Sequence, residues 1–254
     1  TYSEKPYIVN EPHGFAANNK WNLEELSIRH ATFKITYPKK DKIKSLTRTI
    51  EILDSKKKTI SCTLKISVKK DCKLPIGFHP MINLPNKKNK IKIIPGRFKI
   101  GLTYPGLFLA GKNLGAIGSK FKSIEKVKGF DGKFFDLSKP PFDGNYEDLF
   151  QLCGIDGKMT IENYSDNYRF SYRWNPKHFT SLLIWVSNKG RIEYPWNENT
   201  LTMGLEPVTS AFGLSTNIST NSKNPINSNK VSTFINFKKN SEWVSNYSFS
   251  FENI

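Results

Sequence analysis

Residues 59–68 read Thr-Ile-Ser-Cys-Thr-Leu-Lys-Ile-Ser-Val. Apolar and polar side chains alternate along this stretch, so the two kinds lie on opposite faces of an extended strand. One buried face and one wet face are typical of antiparallel sheets. The stretch therefore predicts a half-buried strand in an antiparallel sheet.

Strand patterns recur along the whole chain. Clusters of Gly, Pro, Asn and Asp separate them, for example at residues 131–132, 140–145 and 188–190. The predicted strands cover residues 31–37, 59–68, 90–94, 159–163, 168–174, 181–186, 233–237 and 243–251. Many strands at short intervals, with few helices, predict an all-β protein built as a large β-sandwich or barrel.

Helical patterns are weak in this sequence. Residues 22–26, Asn-Leu-Glu-Glu-Leu, could form one turn of helix before the strand pattern resumes. The polar residues 217–232 predict an exposed loop that is too short to link two domains. Because all-β proteins of 254 residues are often a single domain, we predict one domain, residues 1–254.

The composition excludes several classes of protein. No apolar run approaches the roughly 18–20 residues that a membrane-spanning helix needs, so no membrane partner is predicted. No secretory signal is recognisable. The three cysteines, Cys62, Cys72 and Cys153, lack zinc-binding spacing. We interpret them as reduced thiols, which favours a cytoplasmic location.

The chain is strongly basic, with a formal net charge of +17. Such a charge can indicate nucleic-acid binding. Here, however, the lysines are spread over nearly every turn, and the excess is Lys rather than Arg. Arg is the residue that bidentate phosphate and base contacts favour. The distribution therefore predicts a solvated basic surface and no nucleic-acid partner.

The chain has four histidines: His13, His30, His79 and His178. None has a second His or Cys at metal-ligand spacing, so no metal site is predicted. Single histidines are mostly surface or structural residues, and this interpretation suits His30 and His178. His13 precedes Gly14, which allows a close backbone approach. His79 lies between Phe78 and Pro80, where the chain is expected to turn sharply.

The sequence lacks the motifs of several common enzyme classes. The Gly-x-Ser-x-Gly motif of serine hydrolases is absent, and no Gly-rich loop precedes a helix, so no nucleotide cofactor is predicted. Paired carboxylates for glycoside hydrolysis could come from Asp143, Glu147 and Asp148. These three lie in a turn-rich stretch that we interpret as a solvated loop.

Glu206 lies in an apolar stretch, residues 201–208, which reads Leu-Thr-Met-Gly-Leu-Glu-Pro-Val. Burial there would raise the pKa of the carboxyl group and suit it to act as a general base near neutral pH. Pro207 removes a backbone donor, so the strand is expected to end or bulge at that point. A strand-end Glu that faces water fits the pattern equally well. If the fold brings His79 to Glu206, the two could form an acid/base pair.

Five segments carry a further signal through their order. They are residues 12–16 followed by Trp21; 77–80 with 83–84; 103–106; 185–191 with 195–196; and 204–208 with 211–212 and 224–226. Together they span most of the chain. Their order and spacing resemble the aldose 1-epimerase (galactose mutarotase-like) family, in its diverged bacterial branch.

The resemblance implies a galactose mutarotase-like supersandwich, a large antiparallel β-sandwich whose concave face holds a sugar. Carried over by position, Glu206 is the general base, His79 is the general acid and His13 is an auxiliary histidine that hydrogen-bonds the substrate. The family also uses an acidic residue on a mid-chain strand, for which Asp148 is the nearest match. Trp185 could pack on the sugar, although a buried core position is the commoner role for such a Trp.

Three departures from the family pattern qualify the resemblance. Relatives often have Arg where Ala17 stands, which argues against an anionic sugar. Met81 and Ile82 occupy a position that is often aromatic. Relatives also carry strands before the His-Gly-Phe run, and we expect some of these N-terminal strands to be missing here, with one edge of the sandwich exposed.

We therefore predict a cytoplasmic aldose 1-epimerase-like isomerase that uses no metal and no cofactor. It would interconvert the α and β anomers of a small-molecule sugar by acid/base ring opening. A non-catalytic carbohydrate-binding protein of the same fold is the first alternative. A basic nucleic-acid binder is the second and less favoured one.

Overall fold

The computed structural model describes residues 13–54, 58–109 and 111–254. Pro12, which begins the first of the five segments that carry the family resemblance, lies outside these residues. Within these residues the helices are short: α1 (Phe15–Asn18), α2 (Thr216–Ser219) and one 3₁₀ turn (Asn227–Asn229). The strands are β1 (Asn22–Leu26), β2 (His30–Thr36), β3 (Ile43–Asp54), β4 (Thr59–Val68), β5 (Cys72–Leu74), β6 (Ile76–Gly77), β7 (Met81–Asn83), β8 (Ile91–Pro95), β9 (Ile100–Thr103), β10 (Lys120–Phe121), β11 (Val127–Lys128), β12 (Phe134–Phe135), β13 (Tyr146–Cys153), β14 (Lys158–Asn163), β15 (Tyr168–Trp174), β16 (Ser181–Asn188), β17 (Leu201–Thr209), β18 (Ile235–Phe237) and β19 (Glu242–Asn253).

Two large sheets contain most of these strands. One has eight strands in the order β1-β2-β3-β4-β19-β15-β14-β8. The other has seven, in the order β10-β9-β13-β16-β17-β6, with β7 also paired to β17. Neighbouring strands in both sheets pair antiparallel.

Buried side chains from both sheets meet in one hydrophobic cluster. Leu64 and Ile66 belong to the eight-stranded sheet, and Phe150 and Ile184 to the seven-stranded one. Burying apolar surface is the dominant favourable term in folding, at about 25 cal/mol per Å². The interior between the sheets therefore holds them together, and the predicted all-β antiparallel sandwich is confirmed.

Strand β4 shows how the sequence pattern becomes a burial pattern. Cys62, Leu64, Ile66 and Val68 are buried, while the residues between them are only partly covered. The strand lies between β3 and β19, so its backbone is paired on both sides. Its observed bounds are those that the alternation predicts.

The sequence predictions miss several of the observed strands, including β1, β3 and β13. Residues 22–26, expected as a turn of helix, form the exposed edge strand β1, which pairs with β2. Strand β3 was not predicted, nor was β13. Seven of the eight residues of β13 are buried, on both faces, so its sequence lacks the alternation that identifies a half-buried strand.

The polar stretch after β17 also differs from its prediction. It forms α2 and the 3₁₀ turn rather than an exposed loop, and Ser219, Asn224 and Ile226 are buried. The Asn224 side chain donates to the Ser219 carbonyl at 3.2 Å and to Thr233 Oγ1 at 2.9 Å. Because these hydrogen bonds satisfy buried polar groups, residues 217–232 can pack over the sheet, and we call this segment the cover.

This cover builds a second hydrophobic cluster on the outer face of the seven-stranded sheet. Leu102, Leu149, Leu183 and Val208 supply the sheet side, and Ile226 is among the residues of the cover. Because this sheet is covered on both faces, its central strands are buried almost throughout. Any polar side chain on its outer face is consequently held in a partly desolvated environment.

Two further observations complete the fold. None of the helices in the described ranges has the length and apolar content needed to cross a membrane. Cys62, Cys72 and Cys153 are all buried and free.

Leu152→Ala is expected to destabilise the fold by about 2–5 kcal/mol, because it opens a cavity in the shared core. Leu152 is completely buried. The control is Leu53→Ala in β3, where the leucine is 60% exposed and the change should stay within about 0.5 kcal/mol. Urea denaturation measures both. Equal losses of unfolding free energy would contradict the two-sheet core.

Candidate active site

His79 is positioned by a break between two short strands. β6 and β7 both pair with β17, and residues 78–80 bridge them. The Phe78 N–H donates to the Pro207 carbonyl at 3.0 Å, and the Leu205 N–H donates to the Pro80 carbonyl at 3.0 Å. These bonds keep the short segment against β17, so its side chains have defined directions.

The Phe78 ring secures the core side of this segment. It packs on Tyr247 and Phe179, with ring centroids 4.0 and 4.6 Å away. Because successive side chains of an extended segment point to opposite sides, His79 projects away from the core. The His79 side chain is 34% exposed.

Glu206 reaches the same side of the sheet from β17. Met203 and Leu205 are buried in the core cluster, so alternation directs Glu206 to the outer face. Its Oε1 lies 3.4 Å from His79 Nε2, and its side chain is only 9% exposed. The carboxylate predicted to be partly desolvated is therefore buried and in contact with the imidazole. The strand continues through Pro207 to Thr209 instead of ending at Pro207 as expected, because Pro207 is paired with Leu182 on the neighbouring strand.

Gly204 provides the space that the carboxylate fills. A Cβ atom at this position would lie 2.5 Å from Glu206 Oε1 and 3.2 Å from the Trp185 side chain. Any larger residue would therefore displace the carboxylate, since real Cβ contacts do not approach so closely. The glycine two residues before Glu206 is part of the site.

The environment shifts the pKa of each titratable group in the cluster. Burial raises the pKa of Glu206 to about 8. Burial lowers the pKa of His79, and the neighbouring His13 lowers it further. The pKa of His13 is lowered by burial and by the charge of Arg191. Glu206 therefore holds a proton more tightly, and the two imidazoles less tightly, than the free side chains do.

His13 joins the cluster at the start of the described chain. Its ring stands edge-on to that of His79, with centroids 4.8 Å apart. The backbone at His13 and Gly14 has φ of 64° and 80°, a left-handed turn that leads into α1. Phe15 then packs on Tyr37 at 4.7 Å, which attaches this turn to the sheet.

Trp185 lies beside His79 on the outer face, with ring centroids 6.0 Å apart. It pairs with Gly204 across β16 and β17. The indole is partly buried against the second hydrophobic cluster, and its ring also lies next to that of His79. Its Nε1–H donates to Glu147 Oε1 at 2.7 Å.

Glu147 and Arg191 extend the cluster, although no sequence pattern identified either of them as a site residue. Glu147 is completely buried, and its Oε1 also accepts from Arg191 Nε at 2.7 Å. The guanidinium lies over the rings of Trp185 and Trp196, at 5.3 and 4.8 Å from their centroids. Arg191 is thus held by a carboxylate and two aromatic faces.

Asp148 is not brought to this cluster. It is completely buried and accepts hydrogen bonds from the backbone N–H groups of Leu114 at 2.9 Å, Gly115 at 2.8 Å and Leu149 at 2.7 Å. Burial raises the pKa of Asp148 to about 6, and these donors oppose the increase. Its observed contacts are those of a residue that holds the 113–115 segment against β13.

The difference between Asp148 and Glu147 is one position on a strand. On β13, alternation directs Glu147 and Leu149 to the outer face and Asp148 and Phe150 to the other. The contacts of Leu149 in the outer cluster and Phe150 in the core cluster agree with this parity. Recognising residues 146–153 as a strand would have identified Glu147 as the acidic residue on the site face.

The remaining histidines lie elsewhere. His30 contacts Glu25 at 3.2 Å at the edge of the eight-stranded sheet. His178 packs on Trp243, with ring centroids 4.9 Å apart. Across the described ranges no three His, Cys, Asp or Glu side chains are grouped so that they could hold a metal ion.

Comparison with known proteins adds evidence on the fold. No family model and no curated protein matches the chain, whereas several solved structures do match it. A proposed aldose 1-epimerase from Escherichia coli K12 aligns with a TM-score of 0.64 and 12% identity, over 93% of this chain and 69% of the other. A galactose mutarotase-like protein from Clostridium acetobutylicum aligns with a TM-score of 0.60 and 18% identity, over 95% and 69%.

A third structure agrees with these two. The galactose mutarotase related enzyme from Lactobacillus acidophilus aligns with a TM-score of 0.56 and 14% identity, over 95% of this chain and 74% of that one. Identities this low establish the fold alone. The chain has the galactose mutarotase-like fold, and the resemblance inferred from its ordered segments is confirmed at that level.

Asp148→Asn should lower the unfolding free energy by about 1–3 kcal/mol, because an amide presents one acceptor oxygen fewer to buried N–H donors. The control is Asp143→Asn, whose side chain is 81% exposed and which should keep the wild-type stability. Thermal unfolding measures both variants. Wild-type stability in Asp148→Asn would contradict a structural role for Asp148.

Proposed function

We propose that the protein is an aldose 1-epimerase-like isomerase that interconverts the anomers of an aldose. The observation that carries the proposal is the contact between His79 and Glu206, with Nε2 and Oε1 3.4 Å apart on the outer face of the sheet. Anomer exchange needs one group that accepts a proton and one that donates a proton, and both are present.

The reaction follows from these two groups. Glu206, as the general base, takes the proton of the anomeric hydroxyl. His79, as the general acid, donates a proton to the ring oxygen, so the C1–O5 bond breaks and the open-chain aldehyde forms. Rotation about C1–C2 presents the other face of the aldehyde. The reverse proton transfers then close the ring as the other anomer.

The chemistry requires one proton shared by the two groups. Burial raises the pKa of Glu206 to about 8, whereas the pKa of His79 lies below its usual 6.5. Between these values the pair holds one proton, which resides mainly on Glu206. The productive distribution has that proton on His79, so it must cross the short distance between them when the sugar binds.

A substrate must also reach His79 and Glu206 although these two side chains are in direct contact. The 3.4 Å separation between the imidazole and the carboxylate leaves no space for a pyranose ring between them. The His79 side chain is 34% exposed, so it can change rotamer when a sugar binds. The sugar would then replace the direct contact with two substrate contacts.

Neighbouring side chains support sugar binding. His13 stands against His79 and can hydrogen-bond a substrate hydroxyl. The Trp185 ring adjoins the same imidazole and offers an apolar face for sugar C–H groups. Similar structures include a proposed aldose 1-epimerase and a galactose mutarotase-like protein, which agrees with this assignment.

Glu206→Gln should lower the rate of anomer interconversion by about 10²–10⁴-fold, because an amide cannot accept the proton. Polarimetry of freshly dissolved α-D-galactose and α-D-glucose measures the rate. The matched control is Glu162→Gln, which removes a carboxylate bound to Arg169 on the eight-stranded sheet and should retain the wild-type rate.

Equal rates for the wild type and Glu206→Gln would end the catalytic assignment. Sugar binding without any rate above the buffer background would instead identify a carbohydrate-binding protein of this fold. A rate lost equally in Glu162→Gln would point to general destabilisation.

The rate should depend on pH as a bell. Below the lower apparent pKa, which lies under 6.5, both groups carry protons and no base remains. Above about 8 neither carries one and no acid remains. Initial rates from pH 5 to 10 measure the profile, corrected for uncatalysed mutarotation. A rate that rises steadily through pH 8 would contradict the shared proton.

A further inference from the structure

The Glu147–Arg191 pair has donors that the protein leaves unused. Arg191 donates through Nε to Glu147 Oε1, and among the described residues its two Nη groups have no hydrogen-bond partner. The side chain is 28% exposed, so these groups reach solvent. Arg191 therefore presents a fixed set of free N–H donors at the surface of the site.

The aromatic contacts connect these donors to the reacting pair. The guanidinium lies 5.3 Å from the centroid of the Trp185 ring, which in turn lies 6.0 Å from the His79 ring. Trp196 covers the guanidinium at 4.8 Å. Stacking restricts the rotation of a long side chain, so the donors stay aimed and lose little entropy when a ligand binds.

Glu147 cancels the charge of Arg191. The carboxylate is completely buried, and its Oε2 is a buried atom with no hydrogen-bond partner among the described residues. A second pair beside it repeats the arrangement, because Lys112 lies 3.7 Å from Glu198, whose N–H donates to the Arg191 carbonyl at 2.7 Å. The donors are thus offered with almost no net positive charge.

We propose that the Glu147–Arg191 pair determines specificity by binding hydroxyl groups of a neutral aldose and disfavouring sugar phosphates. This inference rests on the proposed function and concerns the same site. Hydroxyl oxygens accept from the Nη groups of Arg191 without bringing charge. A phosphate dianion would approach a guanidinium that is already neutralised and would be repelled by the buried carboxylate next to it.

Two substitutions separate the contributions of the pair. Glu147→Gln keeps an acceptor oxygen for Trp185 and Arg191 but removes the negative charge, so the permanently charged guanidinium becomes available to an anion. Arg191→Met keeps the apolar stem between the two indoles and removes the donors. The control is Arg169→Met, which breaks the ion pairs to Glu162 and Glu252 on the other sheet.

The test measures dissociation constants by isothermal titration calorimetry, with D-galactose, D-glucose and their 6-phosphates. An anomerically equilibrated sugar undergoes no net reaction, so affinity can be measured on the active protein. The wild type should prefer the neutral sugars. Glu147→Gln should shift the ratio of affinities towards the phosphates by about tenfold or more. Arg191→Met should weaken binding of the neutral sugars by about tenfold, and Arg169→Met should not.

Three results would overturn the proposal: tighter wild-type binding of a 6-phosphate, an unchanged ratio in Glu147→Gln, or wild-type affinity for the neutral sugars in Arg191→Met. If Glu147→Gln does not fold, the wild-type preference and Arg191→Met still decide. The result is independent of turnover, because a protein that binds neutral sugars as described but has no polarimetric rate refutes only the catalytic role.

Discussion

The site depends on the contact between the buried carboxylate of Glu206 and the imidazole of His79. Side-chain alternation on β17 and on the 78–80 segment produces it, because the same backbone that buries Leu205 and Phe78 must direct their neighbours outwards. A shift of one residue in the pairing of β17 with β6 and β7 would place His79 and Glu206 on opposite faces of the sheet. The register that builds the core is therefore also the register that builds the acid/base pair.

This arrangement has a cost to stability. The folded-state pKa of Glu206, about 8, lies above its ordinary value of 4.5. Stability that is fully present below 4.5 is therefore lost as the pH rises through about 8, where the buried carboxylate must ionise. Gly204 has a similar effect, because the absence of a side chain there reduces packing but leaves space for the Glu206 carboxylate. Residues that weaken the fold in this way are typical of functional sites.

The fold and the proximity of His79 to Glu206 could be predicted from the sequence, whereas the polar groups around these two side chains could not. Alternation identified β4 because one of its faces is only partly covered. It could not identify β13, which is buried on both faces, so the sequence pattern did not show that Glu147 faces Trp185 and Arg191 while Asp148 faces the other way. Arg191 lies in a loop after β16, and its position depends on Trp196 and Glu147. Glu147 is far away in the sequence, and Trp196 lies in the same irregular loop, so no strand or helix periodicity connects the three residues.

A crystal structure of the Glu206→Gln variant with an aldose bound would show whether the two side chains hold the sugar. We expect a pyranose on the outer face of the seven-stranded sheet, with its ring oxygen within hydrogen-bond distance of His79 Nε2 and its anomeric hydroxyl beside residue 206. The sugar would replace the direct contact of these two side chains. A sugar bound elsewhere, or bound with C1 turned away from both side chains, would contradict the account.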